Sequence, residues 1–341
     1  MFDIIPRRKA GTCYFECKMP PIVYNFNSGI LEVDKKIVLE DLEKIVDLLG
    51  LEIIVVGDKE KIKSEQWERL EKKVSLAHAP NTIYMDEKPT EVLKKPDNST
   101  MIAKSILAST KGAVLVDTGN TGAVGVAVSW NGGLIHPLIK KIPAYCNFPI
   151  YYEGHRPALC DVGSKTDVKP KDLLGYAVLL IEELKQLGIT DPGIALLNIG
   201  TEKGKGINFY KETYDLFERA GLPNFAGNAE ARQVYFDPKI NGFIFDGFVG
   251  NQVLKMAEAT YEFMQAIDKK MGKDPEKIKE KDRYIGLETA AILLGTKHKV
   301  ILGHGGIRPL PALLKASQHL LREINSEQVY DTIEHYKNFL G

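Results

Sequence analysis

The chain has no excess charge of either sign: 45 basic and 45 acidic residues cancel at neutral pH. Sequence-independent attachment to a polyanion needs a positive field, so this composition gives no reason to expect nucleic acid as a partner. Cysteine is scarce, with 4 in 341 residues. Cys13 and Cys17 form a Cys-x-x-x-Cys pair, but no second Cys-x-x-Cys or His-x-x-x-His element stands ready to complete a ligand set, so no metal centre is expected. The bland reading of the cysteines is buried or half-buried thiols of a reducing compartment. Long apolar runs are missing as well. No window approaches the roughly 18 apolar residues of a membrane span. The N-terminal apolar stretch is too short for a signal peptide, and no small-residue cleavage site follows it. The expectation is a cytoplasmic protein, with peripheral membrane contact left open.

Several catalytic signatures are absent too. There is no Gly-x-Ser-x-Gly elbow and no His-Glu-x-x-His pair. The first strand is not followed by Gly-x-Gly-x-x-Gly, which argues against a nicotinamide dehydrogenase. The glycine-rich stretch 198–206 (NIGTEKGKG) lacks the Walker order, because Gly206 is followed by Ile207, so ATP hydrolysis is not supported.

What the chain does have is a recurring unit: an apolar run ends in a polar, glycine-bearing loop, and a helical stretch follows. It occurs at 53–58 (IIVVGD), 113–123 (AVLVDTGNTGA), 158–165 (ALCDVGSK), 194–206 (IALLNIGTEKGKG), 243–251 (FIFDGFVGN) and 300–306 (VILGHGG). Val- and Ile-rich runs without alternation suit strands buried on both faces. Their alternation with helices predicts an α/β fold with a doubly wound, mostly parallel sheet and Rossmann-like βα units. Right-handed crossovers would bring all these loops to one edge of the sheet, where open parallel sheets hold their ligands. Helices are expected at 171–187, after Pro170, and at 252–269. The charged stretch 269–283 reads as a solvated helix or turn. Residues 1–20 read as an extension. With no low-complexity tract or Pro/Gly/Ser linker, 21–341 read as one domain with interwoven lobes.

The loops supply the candidate site. Gly119, Asn120, Thr121 and Gly122 would start a helix whose free N–H groups face an anion, although Asn120 and Thr121 serve equally well as caps. In the 198–206 loop, Asn198, Gly200, Glu202, Lys203, Lys205 and Gly206 combine glycine N–H groups with lysine charge, as phosphate requires; solvated lysines on a surface loop are the alternative. Asp161, Gly163, Ser164 and Lys165 form a third loop, and Asp246, Gly250 and Asn251 a fourth. Their aspartates would either order donors around a substrate or cap the next helix. Asn228 and His304 stand in the same predicted row.

Taken together, these segments resemble the PlsX-type phosphate acyltransferases. The resemblance runs in family order through His78-Ala79, Met85-Asp86-Glu87-Lys88-Pro89, Ser99-Thr100-Met101 and Gly119-Asn120-Thr121-Gly122-Ala123. It continues through Asp161-Val162-Gly163, Leu196-Leu197-Asn198-Ile199-Gly200, Asn224-Phe225 with Gly227-Asn228 and Glu230, Asp246-Gly247-Phe248 with Gly250-Asn251, Leu294-Gly295 and His304-Gly305. The chain departs from the family at residues 24–30 (YNFNSGI), where the family has Asp-Ala-Met-Gly-Gly-Asp, at Ser164-Lys165 for Ala-Asn, and at Gly306-Ile307 for Ser-Ser. The stretch before Leu294 is shorter than in the family, where it forms a helical hairpin tied to dimerisation and membrane contact.

The resemblance implies an isocitrate/isopropylmalate dehydrogenase-like fold and a homodimer. It implies an enzyme without cofactor that converts an acyl-carrier-protein or coenzyme A thioester and inorganic phosphate to an acyl phosphate, for fatty acid and phospholipid synthesis. It places Lys205, Asn198, Asp246 and His304 at the chemistry and the remaining loop residues around phosphate. Two other readings stay open: a paralogue in another acyl-phosphate reaction, like the acetyl-handling subunit of glycine reductase complexes, and a non-catalytic acyl- or anion-binding protein. On the leading reading, Lys205→Ala and Asn120→Ala would each weaken phosphate use and leave the fold intact.

Overall fold

The computed structural model describes residues 19–26, 35–150, 155–273, 290–303, 310–320, 322 and 325–341. Residues 1–18 of the extension expected at 1–20, most of the altered 24–30 loop, His304 with its two glycines, and most of the charged stretch lie outside the described residues.

One 11-stranded sheet organises the chain, in the order β3-β2-β1-β4-β11-β10-β5-β6-β9-β7-β8. Its strands are β1 (Ile22–Asn25), β2 (Ile53–Gly57), β3 (Ser75–His78), β4 (Val114–Asp117), β5 (Ala144–Asn147) and β6 (Ala158–Cys160). They continue with β7 (Ile194–Leu197), β8 (Phe225–Ala229), β9 (Gly242–Ile244), β10 (Ala291–Leu293) and β11 (Lys299–Leu302). β1, β4, β7 and β9 are buried at every residue. This is the burial expected of short apolar runs covered by helices on both faces.

The direction of the strands corrects the expectation of a single ligand edge. β3, β2, β1, β4 and β11 are mutually parallel. β6, β9, β7 and β8 are also mutually parallel. Between the two sets, β10 pairs antiparallel with β11 and β5, and β5 antiparallel with β6. The three reversals set the second half against the first, so the carboxyl ends of the two halves point to opposite edges. The loops after β4 and β11 leave by one edge, and those after β6, β7, β8 and β9 by the other.

Helices cover the sheet: α1 (Lys35–Leu49), α2 (Lys59–Ile62), α3 (Glu65–Leu70), α4 (Ser99–Ser109), α5 (Thr121–Ser129) and α6 (Pro170–Gln186). They are followed by α7 (Asn208–Arg219), α8 (Ala231–Phe236), α9 (Gly247–Lys270), α10 (Leu310–Leu320), α11 (Ser326–His335) and α12 (Lys337–Leu340). α6 starts where Pro170 predicts it. Pro170 occupies the first turn, where a missing N–H costs nothing, and the Asp172 Oδ2 accepts the Lys169 N–H at 2.7 Å. α9 starts five residues before its expected position, so the stretch read as a loop at 247–251 is its first helical turn. No helix among the described residues is long and apolar enough to cross a membrane. Cys146 and Cys160 are buried and form no disulfide.

One apolar core spans both halves, from Ile22 and Val116 to Leu196 and Phe243. A second, small cluster of Ile83, Val92, Ala123 and Ala127 holds the segment around Pro89 against α5.

Candidate active site

Three of the four predicted loops meet at the carboxyl edge of the second half, because β6, β9, β7 and β8 are successive neighbours there. The loop after β6 folds around Asp161, which is fully buried. Its Oδ1 accepts the N–H groups of Ala144, Gly163 and Ser164 at 3.0, 3.1 and 2.9 Å, and its Oδ2 accepts that of Lys165 at 2.7 Å. The Ser164 hydroxyl donates to the Ile142 carbonyl at 2.8 Å. Burial pushes the Asp161 carboxyl up to about 6 against the opposing pull of these donors.

The first turn of α9 packs directly on this loop. The Gly247 N–H donates to the Lys165 carbonyl at 2.9 Å. A Cβ on Gly250 would lie 1.9 Å from the Asp161 carbonyl oxygen, so only glycine permits this approach. The Asn251 side chain lies 3.4 Å from where a Cβ on Gly163 would be. Asp246 caps the helix, its Oδ1 accepting from the Phe248 and Val249 N–H groups at 3.0 Å each. The other oxygen accepts the Tyr210 hydroxyl at 2.7 Å. Tyr210 stands in the first turn of α7, directly after the 198–206 loop, so this bond joins the third predicted loop to the other two.

Within that loop, Asn198 donates to the Lys205 carbonyl and to the Asn228 Oδ1, each at 3.1 Å, and Asn228 donates to the Glu202 carbonyl at 2.9 Å. Gly206 has φ +85° and leaves no room for a Cβ, which would lie 2.4 Å from the Asn198 Oδ1. Gly200 is packed similarly against Glu202 and Lys205. The two lysines, equivalent in sequence, differ in structure. Lys203 turns to α7, where it pairs with Glu218 and, at 3.2 Å, with Asp215. The Lys205 Nζ has only a 3.9 Å approach to Glu202, and its side chain is 50% exposed.

The remaining loop, 119–122, belongs to the first half. Asn120 caps α5 by accepting the Ala123 N–H at 3.0 Å, and its Nδ2 donates to the carbonyls of Tyr84 and Glu87 at 3.2 and 3.1 Å. Its amide is therefore committed to the fold, and Asn120→Ala is expected to cost about 1–2 kcal/mol of stability by chemical denaturation. This replaces the expectation that the fold would be indifferent to that change. The N–H groups of Thr121 and Gly122, at the helix start, have no intrahelical acceptor. Beneath them lies a buried polar cluster: Gly119 donates to Asp117 at 2.8 Å, and Asn25 donates to Asp117 at 2.6 Å and to Thr100 at 3.2 Å.

Burial pushes the Asp117 carboxyl up to about 6. A folded-state value above the unfolded one means that its stabilising contribution is full only below the unfolded value of about 4 and is lost as pH rises from there through about 6. The Asn25 Oδ1 is buried without a partner, so Asp117→Asn can be accommodated by turning the Asn25 amide. Urea unfolding should show the wild type losing about 1.4 kcal/mol relative to this variant between pH 5 and pH 8. Parallel pH profiles would contradict the assignment.

The two halves meet at Lys165. A Cβ on Gly125 of α5 would lie 3.9 Å from the Lys165 Nζ. Gly125 is about 6 Å along the helix axis from Thr121. The start of α5 and the Asp161 loop leave opposite edges, but α5 runs back along the sheet and brings Gly125 beside Lys165. His304 lies outside the described residues. Tyr210 and Gly125 were not singled out in the sequence. Tyr210 is 36 residues from its partner, and Gly125 sits inside a helix of small apolar residues.

Comparison with known proteins agrees with this architecture. The family described as "Fatty acid synthesis protein" matches residues 33–308. The chain is 30% identical over 326 residues to a phosphate acyltransferase of Brevibacillus brevis, covering 90% of this chain and 95% of that one. It is 33% identical over 305 residues to a phosphate acyltransferase of Aquifex aeolicus, covering 83% and 88%. Among solved structures, a branched-chain phosphotransacylase from Enterococcus faecalis superposes with a TM-score of 0.56 at 14% identity, over 89% of this chain and 99% of that one. A phosphotransacetylase from Streptococcus pyogenes gives 0.54 at 17% identity, over 89% and 95%. At such identities the structural likeness establishes the shared fold alone. The sequence matches go further: this chain belongs to the fatty acid synthesis protein family, that is, to the PlsX-type phosphate acyltransferases, as a diverged member.

Proposed function

We propose that the protein transfers an acyl group from a thioester, carried by an acyl-carrier protein or coenzyme A, to inorganic phosphate. The observation that carries this reading is the junction of the Asp161, Asn198 and Asp246 loops at one sheet edge, bearing Lys165 and Lys205, in a chain of this family. A phosphate oxygen attacks the thioester carbonyl carbon. The new C–O bond forms, the C–S bond breaks, and the thiolate leaves and takes a proton from solvent. Phosphate is anionic at neutral pH and a thiolate leaves readily, so no covalent enzyme intermediate is needed. Holding the two reactants together and stabilising the oxyanion is the protein's contribution.

In this reading Lys205 and Asn251 face the reacting groups. The N–H groups of Thr121, Gly122, Gly200 and Gly206 receive anionic oxygen, and Asn198, Asn228 and Asp246 hold those loops in place. The active unit is a homodimer in the cytoplasm. Purified protein should release thiol from acyl thioesters only when phosphate is present, across a series of chain lengths. Absence of phosphate dependence at every length would remove the proposal. A preference confined to acetyl, with a co-purifying thioester-handling subunit, would move it to the paralogous reaction.

A further inference from the structure

Lys165 is a cation without an ion pair among the described residues. Two other lysines of the second half are paired: Lys141 approaches Asp172 at 3.5 Å and also donates to the Asp167 carbonyl, and Lys203 is held by Asp215 and Glu218. The Lys165 Nζ has no hydrogen-bond acceptor and no ion pair among the described residues. Its nearest acid, Asp161, spends both oxygens on backbone N–H groups. The backbone of Lys165 is fixed at both ends, its N–H by Asp161 and its carbonyl by Gly247. The side chain extends to Gly125 of α5, a helix (TGAVGVAVS) without a single charged residue. Burial draws the ammonium below the usual lysine range; Lys141 adds to this and Asp161 opposes it. A half-buried ammonium without a contacting counter-ion is costly to maintain, and none of the described residues supplies one.

We propose that Lys165 is the residue that receives the attacking phosphate, holding the dianion between the two halves of the sheet, with the first-turn N–H groups of α5 on its far side. It is a binding residue and fixes the nucleophile in place rather than moving protons. Phosphate as its ligand rests on the acyl-transfer reading, whereas direct binding can be measured without any turnover. The same chemistry has a second source, the phosphate groups of coenzyme A or of a carrier's pantetheine arm, so both ligands are needed in the test.

The experiment is isothermal titration of inorganic phosphate, and separately of coenzyme A, into wild type, Lys165→Met and Lys165→Arg. Each variant is first matched to wild type by its melting temperature. Neither substitution touches the Lys165 N–H or carbonyl, so the Asp161 loop keeps its bonds. Phosphate should bind Lys165→Met about tenfold or more weakly and Lys165→Arg within a few-fold of wild type, as expected for a charge-assisted contact. Coenzyme A should bind all three alike. In alkaline buffer, where phosphate stays dianionic, wild type should lose affinity at a lower pH than an exposed lysine would, and Lys165→Arg should not. If thioester turnover is then absent, acyl transfer fails while Lys165 still stands as an anion site. Equal phosphate binding by wild type and Lys165→Met overturns the inference, as does weakened coenzyme A binding with phosphate unaffected.

Discussion

Gly250→Ala is expected to lower turnover by at least about a hundredfold, since a displacement of about 1 Å at a reacting site costs that much. The added methyl would lie 1.9 Å from the Asp161 carbonyl oxygen and 2.3 Å from the Phe245 ring. Neither neighbour can yield without moving the rest of the site. Phe245 is fully buried, and the Asp161 carboxylate is held by four N–H donors. α9 must therefore shift away from the Asp161 loop, carrying Asn251 with it and stretching the Gly247 N–H bond to Lys165. Overpacking of this kind costs about 1–3 kcal/mol, small enough for the fold to survive in many domains. The measurement is kcat at saturating phosphate and thioester, alongside a denaturant melt. Near wild-type turnover would mean that the contact between α9 and the Asp161 loop does not set the geometry of the site.

The second large effect is expected at Asp246. Its removal uncaps a 24-residue helix, a loss of about 1–2 kcal/mol, and leaves the Tyr210 hydroxyl without its acceptor, which adds about 1–3 kcal/mol. Asp246→Ala should therefore cost about 2–5 kcal/mol and depress turnover, because the bond to Tyr210 is what joins the 198–206 loop to α9. Tyr210→Phe separates the two contributions, leaving the cap intact while deleting the tie. A double-mutant cycle should give a coupling of about 1 kcal/mol or more between the two positions. Strict additivity would show that the two loops are held together by something else.

Much of this architecture is legible in the residues alone, and the one large error has a physical cause. Val114–Asp117 and Ile194–Leu197 announce themselves as doubly buried strands because they are apolar without alternation. Part of the reversal was legible too, in spacing rather than in composition. Parallel neighbours need a crossover of a dozen or more residues. Only residues 294–298 separate β10 from β11, and only residues 148–157 separate β5 from β6. Such short connections force two of the three antiparallel pairings; the third, β10 with β5, joins strands far apart in the chain and depends on tertiary placement.

At the site, the capping roles of Asn120 and Asp246 follow from residue type at a strand-to-helix turn. The division of labour between Lys203 and Lys205 does not follow, because it depends on acids of α7 that the turn alone places within reach. The Tyr210–Asp246 bond and the approach of Lys165 to Gly125 depend on tertiary placement, which no local pattern encodes.

The central claim is that a phosphate oxygen becomes part of the product. Phosphate labelled with ¹⁸O in all four positions, incubated with the protein and an acyl thioester, tests it directly. The account predicts an acyl phosphate detectable by phosphorus resonance, formed in step with thiol release and retaining the label in its bridging oxygen. Thiol release that yields only free acid, with the oxygen drawn from water and no labelled acyl phosphate, would contradict it.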